Sequence, residues 1–110
     1  MCDHMEFLRY PLDGSLKVLG RKWAAPVLME LYNGRDRSYT LREAVPEISP
    51  RTLLARLDDL ENAGLEKRET GQSSPLRVHY RLTWKGEDMR FLLRQATSFS
   101  LKWYSNNGVS

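Results

Sequence analysis

Ser49, Arg51, Thr52 and Arg56 fall within the stretch 49–56. Two guanidiniums and two hydroxyls at that spacing suit phosphate oxygens and the acceptor-rich edges of base pairs. Arg77 stands just past Gly71-Gln72-Ser73-Ser74-Pro75, a loop-forming stretch. A cation on a projecting loop suits a phosphate or the negative potential of a narrow groove. Catalytic chemistry has no comparable signal: no Gly-rich phosphate loop, His-Glu metal motif or nucleophile elbow is present. No enzyme is expected. Cys2 and His4 lie two apart with His79 distant, short of the four spaced ligands of a structural zinc site, so neither metal nor cofactor is expected. Cys2 is the single cysteine. It excludes an internal disulfide, fits a reducing compartment, and has no adjacent Lys or Arg to stabilise a thiolate.

For the first four donors to act together, one helix must carry them. Ser49-Pro50 is a strong start, a cap residue followed by proline at the first helical position. Leu53, Leu57 and Leu60 recur at helical spacing and face a core, Leu54 widens that face, and Gly64 closes the helix after Ala63. The outer face then holds Arg51, Thr52, Ala55, Arg56 and Asp59. Positive residues occupy its first half, and Asp58, Asp59 and Glu61 its second, against the dipole's preference for acids at the start. The order makes sense if the N-terminal end meets phosphates, as a recognition helix does in the major groove.

The supporting elements follow from local signals. Pro11 and Asp13 open a helix with Leu12, Leu16 and Leu19 on one face and Gly20 as its stop. Trp23 reads as core between two helices. Pro26 sits in the first turn of a second helix, whose apolar face is Val27, Leu28 and Leu31 and whose end is Asn33-Gly34. Residues 35–39 are a short extended, turn-like piece. Thr40 caps a third helix from Leu41 to Val45, with Glu43 completing a capping box, and Pro46 stops it. Residues 65–70 and 77–83 pair as a hairpin, the second strand alternating Val78, Tyr80 and Leu82 with Arg77, His79 and Arg81. Glu66 and Glu69 join Lys67 and Arg68 on its charged outer side. Gly86 precedes a last helix, residues 87–104.

Two helices joined by a tight turn and followed by a hairpin make an α+β, mostly helical fold: a winged helix-turn-helix with a two-stranded β-hairpin wing and N- and C-terminal dimerisation helices. The expected organisation is a single domain over 1–110: a flexible arm 1–10, the helix-turn-helix 40–64, the wing 65–83 and the C-terminal dimerisation helix 87–104. The last helix is apolar on more than one stripe, and a small core covers one only. Leu12, Leu16, Phe91, Leu92, Ala96, Phe99 and Trp103 are therefore the expected homodimer interface.

The chain resembles the HxlR-type winged helix-turn-helix regulators, relatives of the MarR group. The pieces that carry the resemblance are Gly20-Arg21-Lys22-Trp23, Val27-Leu28 with Glu30-Leu31, Leu41-Arg42, Pro46-Glu47-Ile48-Ser49 and Leu53 with Arg56-Leu57. They continue through Leu60-Glu61, Gly64-Leu65, Arg77-Val78 with Tyr80, Leu82-Thr83 with Gly86, and Trp103. The resemblance covers roughly residues 10–104. It implies a prokaryotic homodimer, joined by its terminal helices, on double-stranded operator DNA. Three departures stand out. Tyr10-Pro11 replaces the family's usual Cys-Pro, so thiol sensing there is not available. Ser38 stands where an aromatic is usual, and the tip 71–74 is less apolar.

A net charge of +3 permits nucleic-acid binding without requiring it. No apolar run approaches the roughly 18 residues of a membrane span, and the first ten residues lack an apolar signal region, so a cytoplasmic, nucleoid-associated protein without a membrane partner is expected. The sequence names no small-molecule effector. Two rivals share the fold: a winged-helix protein-interaction module and a sequence-nonspecific, chromatin-type DNA-binding protein. The polar outer face of Arg51, Thr52 and Arg56 argues against the first. Competition with random DNA separates the second.

Overall fold

Two of the helices end where the sequence supplies a glycine able to leave helical backbone. The computed structural model describes residues 12–70 and 78–104. In order they form α1 (Leu12–Leu19), α2 (Ala24–Tyr32), α3 (Ser38–Ala44), α4 (Pro50–Asn62), β1 (Glu66–Thr70), β2 (Val78–Leu82) and α5 (Trp84–Trp103). Gly34 and Gly64 take φ of 94° and 80°, a left-handed backbone open to glycine at little cost. After Gly64 the chain closes α4 with two crossed bonds, Leu65 N–H to Leu60 O and Gly64 N–H to Glu61 O, both 2.9 Å. The same pair of bonds ends α2 at Gly34 and Arg35, satisfying carbonyls a helix end leaves bare. Among the described residues one non-glycine has positive φ, Trp23 at 74°, immediately before α2. Its ring is half-buried against the core.

The buried side chains come from every helix after α1. Val27, Leu28 and Leu31 of α2 meet Leu41 of α3 and Leu53, Leu57 and Leu60 of α4. Val45 and Ile48 plug the turn between α3 and α4. Leu65, Tyr80 and Leu93 close the cluster from the hairpin and α5, and α1 joins it through half-buried Val18 and Leu19. β1 and β2 pair antiparallel, Glu66 opposite Leu82 and Thr70 opposite Val78. The extended piece before α3 lies along β2, where Tyr80 N–H donates to Asp36 O at 2.9 Å. The architecture is a mostly helical α+β winged-helix fold, as the periodicity predicts.

Three local expectations change. Thr40 does not cap α3; Arg37 does, in extended backbone, and its N–H donates to Thr40 Oγ1 at 3.3 Å from three residues away. Leu54 does not join the core but is 48% exposed, because one residue past Leu53 turns the side chain roughly 100° off the buried stripe. α5 begins at Trp84, before Gly86, because Thr83 caps it, its hydroxyl accepting from Gly86 N–H at 3.1 Å. Gly86 is thus an interior helical residue, pressed so closely on the Leu65 carbonyl that a Cβ would collide with it.

Candidate nucleic-acid interface

The N-terminal end of α4 is fixed by its own side chains. Ser49 Oγ accepts from Thr52 N–H at 3.1 Å and donates to Thr52 Oγ1 at 2.9 Å. That satisfies one of the amides a helix start leaves bare and leaves Thr52 its own hydroxyl proton to donate. Arg51, in the first turn, is exposed and makes no ion pair among the described residues. Ser49, Arg51 and Thr52 therefore come together at one helix end, where backbone amides and the dipole also favour an anion.

Arg56 sits apart from that group. Its side chain is only 18% exposed, and its guanidinium lies 3.2 Å from Asp59 Oδ2. Arg21, from the segment before α2, reaches the same oxygen at 3.8 Å. On a helical wheel Arg56 is roughly 60° from Leu53, so it flanks the core rather than crowning the outer face. Sequence spacing alone could have shown this.

The hairpin is tied to the helices through charge. Arg68 of β1 reaches Asp58 of α4 at 3.6 Å, and Arg81 reaches Glu69 across the strands at 3.5 Å. His79 Nδ1 lies 3.2 Å from Asp36 Oδ2, and Arg37 Nη2 lies 3.3 Å from its Nε2. A guanidinium can only donate, so Nε2 accepts and Nδ1 carries the proton toward Asp36. Arg77 and the tip 71–76 lie outside the described residues, as do Cys2 and His4.

Glu66 escaped the sequence reading. It is not on a charged outer side but 2% exposed, and neither carboxylate oxygen has a hydrogen-bond partner among the described residues. Burial pushes its carboxyl from the ordinary 4.5 up to about 8; Glu61 adds to the rise, Arg68 opposes it, and Asp58 adds again. The available signal was position: Glu66 directly follows Leu65, the turn residue that closes α4.

Of the expected interface residues, Leu16, Phe91, Phe99 and Trp103 are large and exposed, at 55%, 67%, 57% and 64%. Ala96 is exposed and Leu92 half-buried; Leu12 opens α1. Trp84, which the sequence reading passed over, is 92% exposed. No described helix is long and apolar enough to cross a membrane.

Known proteins share this arrangement. The HxlR-like helix-turn-helix family matches residues 18–107. The chain is 32% identical over 91 residues to the HTH-type transcriptional regulator YvaP of Bacillus subtilis, spanning 83% of this chain and 84% of YvaP. It is 36% identical over 83 residues to the HTH-type transcriptional regulator sll1512 of Synechocystis, spanning 76% of this chain but 62% of that relative. The crystal structure of the HTH-type transcriptional regulator YtcD, a Bacillus subtilis protein, superposes with a TM-score of 0.79 at 25% identity, covering 86% of this chain and 97% of YtcD. These relatives are transcriptional regulators and not enzymes. The chain belongs to the HxlR-like helix-turn-helix family of transcriptional regulators.

Proposed function

We propose that this is a cytoplasmic, homodimeric regulator that binds operator DNA sequence-specifically through a single winged-helix domain. The observation that carries the reading is Arg51, exposed and without an ion pair among the described residues, in the first turn of a helix whose start is capped by the Ser49–Thr52 hydrogen bonds. Arg51 and Thr52 face the major groove, Ser49 its phosphates, and Arg77 the backbone or the minor groove beside it. Arg56 contacts a base only by exchanging Asp59 for it, which costs about the worth of one partly exposed ion pair, ~1 kcal/mol or less. The homodimer is supported by exposed Ala96, Phe99 and Trp103 on one stripe with half-buried Leu92, by exposed Phe91 beside it, and by exposed Leu16 on α1, with Leu12 at its start.

The test is affinity for a selected operator and for random duplex across a salt series, with mass by light scattering. Arg51→Ala and Arg56→Ala should weaken operator binding and spare random duplex. Arg77→Ala should weaken both and reduce the salt slope by about one. Scattering should return twice the 12.8 kDa chain mass. Equal affinity of the parent for operator and random DNA would leave the nonspecific reading instead, and a monomer would end the dimer reading.

A further inference from the structure

Glu66, the first residue of β1, is the one buried charged side chain among the described residues, and neither of its oxygens has a hydrogen-bond partner there. A neutral acid tolerates such a place far better than a carboxylate does. The backbone around it is closed. Leu65 N–H donates to Leu60 O at 2.9 Å and Thr83 N–H to Leu65 O at 3.0 Å, so the root of the hairpin is pinned between the end of α4 and the start of α5.

The charged groups around Glu66 come from several elements. α4 brings Glu61 and Asp58, whose charges oppose its ionisation. Arg68, two residues on and on the same face of β1, favours it. β2 brings apolar Leu82 opposite Glu66 and buried Tyr80 opposite Arg68, and the Tyr80 hydroxyl accepts a hydrogen bond from Arg68. At the start of α5, the Lys85 ammonium is held on Ala63 O at 2.7 Å. Arg68 is therefore the cation that acts on Glu66, and it is already paired with Asp58 at 3.6 Å. That contact is the ion pair among the described residues that ties the hairpin to α4.

Arg68 cannot serve both acids equally. Protonated, Glu66 makes no demand on it. Ionised, Glu66 becomes a third carboxylate, with Asp58 and Glu61, around one guanidinium. The Arg68 and Asp58 side chains are about half exposed, so parting them costs no more than a surface pair, whereas a bare buried carboxylate costs more. Each pH unit above the carboxyl's ordinary 4.5 favours an arrangement that releases the proton by about tenfold, until the buried form itself ionises at about 8.

Resting on the DNA-binding reading above, we propose that Glu66, Arg68 and Asp58 form a proton-operated latch on the wing. With Glu66 protonated, Arg68 holds Asp58 and the wing stands against α4. When Glu66 gives its proton to solvent, Arg68 turns to Glu66, the wing is released from α4, and operator binding weakens.

Two measurements on the full chain test the latch. Operator affinity at constant ionic strength should fall about threefold to tenfold between pH 7 and 9 in the parent, and Glu66→Gln, matching the parent at pH 7, should lose most of that fall. A level profile in the parent, or an equal fall in the variant, refutes the latch. The second measurement contains no DNA: amide hydrogen exchange of the parent relative to Glu66→Gln at each pH, so that the intrinsic pH dependence cancels. Over the same range the amides of β1 and β2 should lose about threefold or more protection beyond any loss in α2. Asp58→Asn should show that loosened wing already at pH 7. Equal loss across hairpin and α2 would mean plain destabilisation and refutes the latch, as does a parent-like wing in Asp58→Asn. A wing that loosens with pH in a chain that binds no operator at any pH instead sinks the DNA-binding reading.

Discussion

Replacing Glu66 by glutamine should stabilise the protein by an amount that grows with pH. Its side chain is closed off at the root of β1, opposite Leu82, with no hydrogen-bond partner among the described residues for either oxygen. Burial first, then the charges of Glu61 and Asp58 against Arg68, hold its carboxyl at about 8. The sign is the reverse of the usual carboxylate case. An unfolded chain releases this proton near 4.5 and the fold keeps it to about 8. Between those values the folded state binds more protons, so stability is full below about 4.5 and is lost as pH rises through 8. Each unit in the window is worth about 1.4 kcal/mol, an upper bound of about 3 kcal/mol by pH 7. Relaxation of the fold around the ionised carboxylate reduces this, and we expect about 2 kcal/mol. That is a large share of a small domain's typical stability of about 5–15 kcal/mol.

Glutamine keeps the shape of the neutral acid and does not titrate. Urea denaturation of parent and Glu66→Gln at steps from pH 4.5 to 9 should give near-equal stability at the acid end. By pH 7 the variant should lead by about 2 kcal/mol, and by more at pH 9, with matching denaturant slopes. Parallel stability curves across the range would refute the reasoning. They would mean that the carboxylate stays ionised in the fold, with Arg68 or water outweighing burial.

Other substitutions probe the remaining contacts. Gly86→Ala should lower stability by 2 kcal/mol or more, roughly the scale of an overpacked core, because its Cβ meets the Leu65 backbone carbonyl and not a yielding side chain; a thermal melt reads it. Asp59→Asn removes the partner of Arg56 and Arg21, freeing one cation beside the proposed DNA face. It should raise operator affinity up to about fivefold, the worth of the Asp59 pair that Arg56 no longer gives up to reach a base, and raise random-duplex affinity less; an unchanged operator affinity would show that Arg56 does not reach a base. Leu57→Ala, 1% exposed at the centre of α4, should cost about 2–5 kcal/mol and lose DNA binding only in step with unfolding, compared by circular dichroism and binding at one temperature.

The parts of the fold legible from sequence are those set by period and punctuation. Leu53, Leu57 and Leu60 are buried as their spacing requires, and Ser49-Pro50 and Gly64 bound α4 as cap and C′ residue. Where a residue's role depends on what packs beside it in space, sequence reading failed. Gly86 read as a helix-preceding glycine because nothing local reveals that Leu65 presses on it. Glu66 read as surface because charged residues are rarely buried without a partner. Arg56 is a different case, since its position was calculable from 100° per residue but its attachment to Asp59 needed only the i,i+3 rule. For the residues proposed to face DNA, the helix end that holds Ser49, Arg51 and Thr52 is legible in the sequence, as is the i,i+3 pair of Arg56; the long-range pairs of Arg21 and Arg68 with the acids of α4 are not.

The acid-rich second half of α4 can be understood from its partners. Asp58 and Asp59 lie toward the negative end of the helix dipole, where each costs a few tenths of a kcal/mol to about 1. Their pairs with Arg68 and Arg21 return a similar amount, about 0.2–1 kcal/mol each for exposed pairs, and the more buried Arg56 pair is screened less. Stability is therefore nearly neutral to them. What the pairs supply is geometry: Arg68 draws β1, and with it the wing, onto α4, and Arg21 draws the segment before α2 onto the same helix. Acids in the first turn could serve neither partner and would repel the phosphates that flank the groove Arg51 is proposed to enter. The charge order that opposes the dipole thus leaves one end of α4 free for an anion and uses the other to hold the wing in register with it.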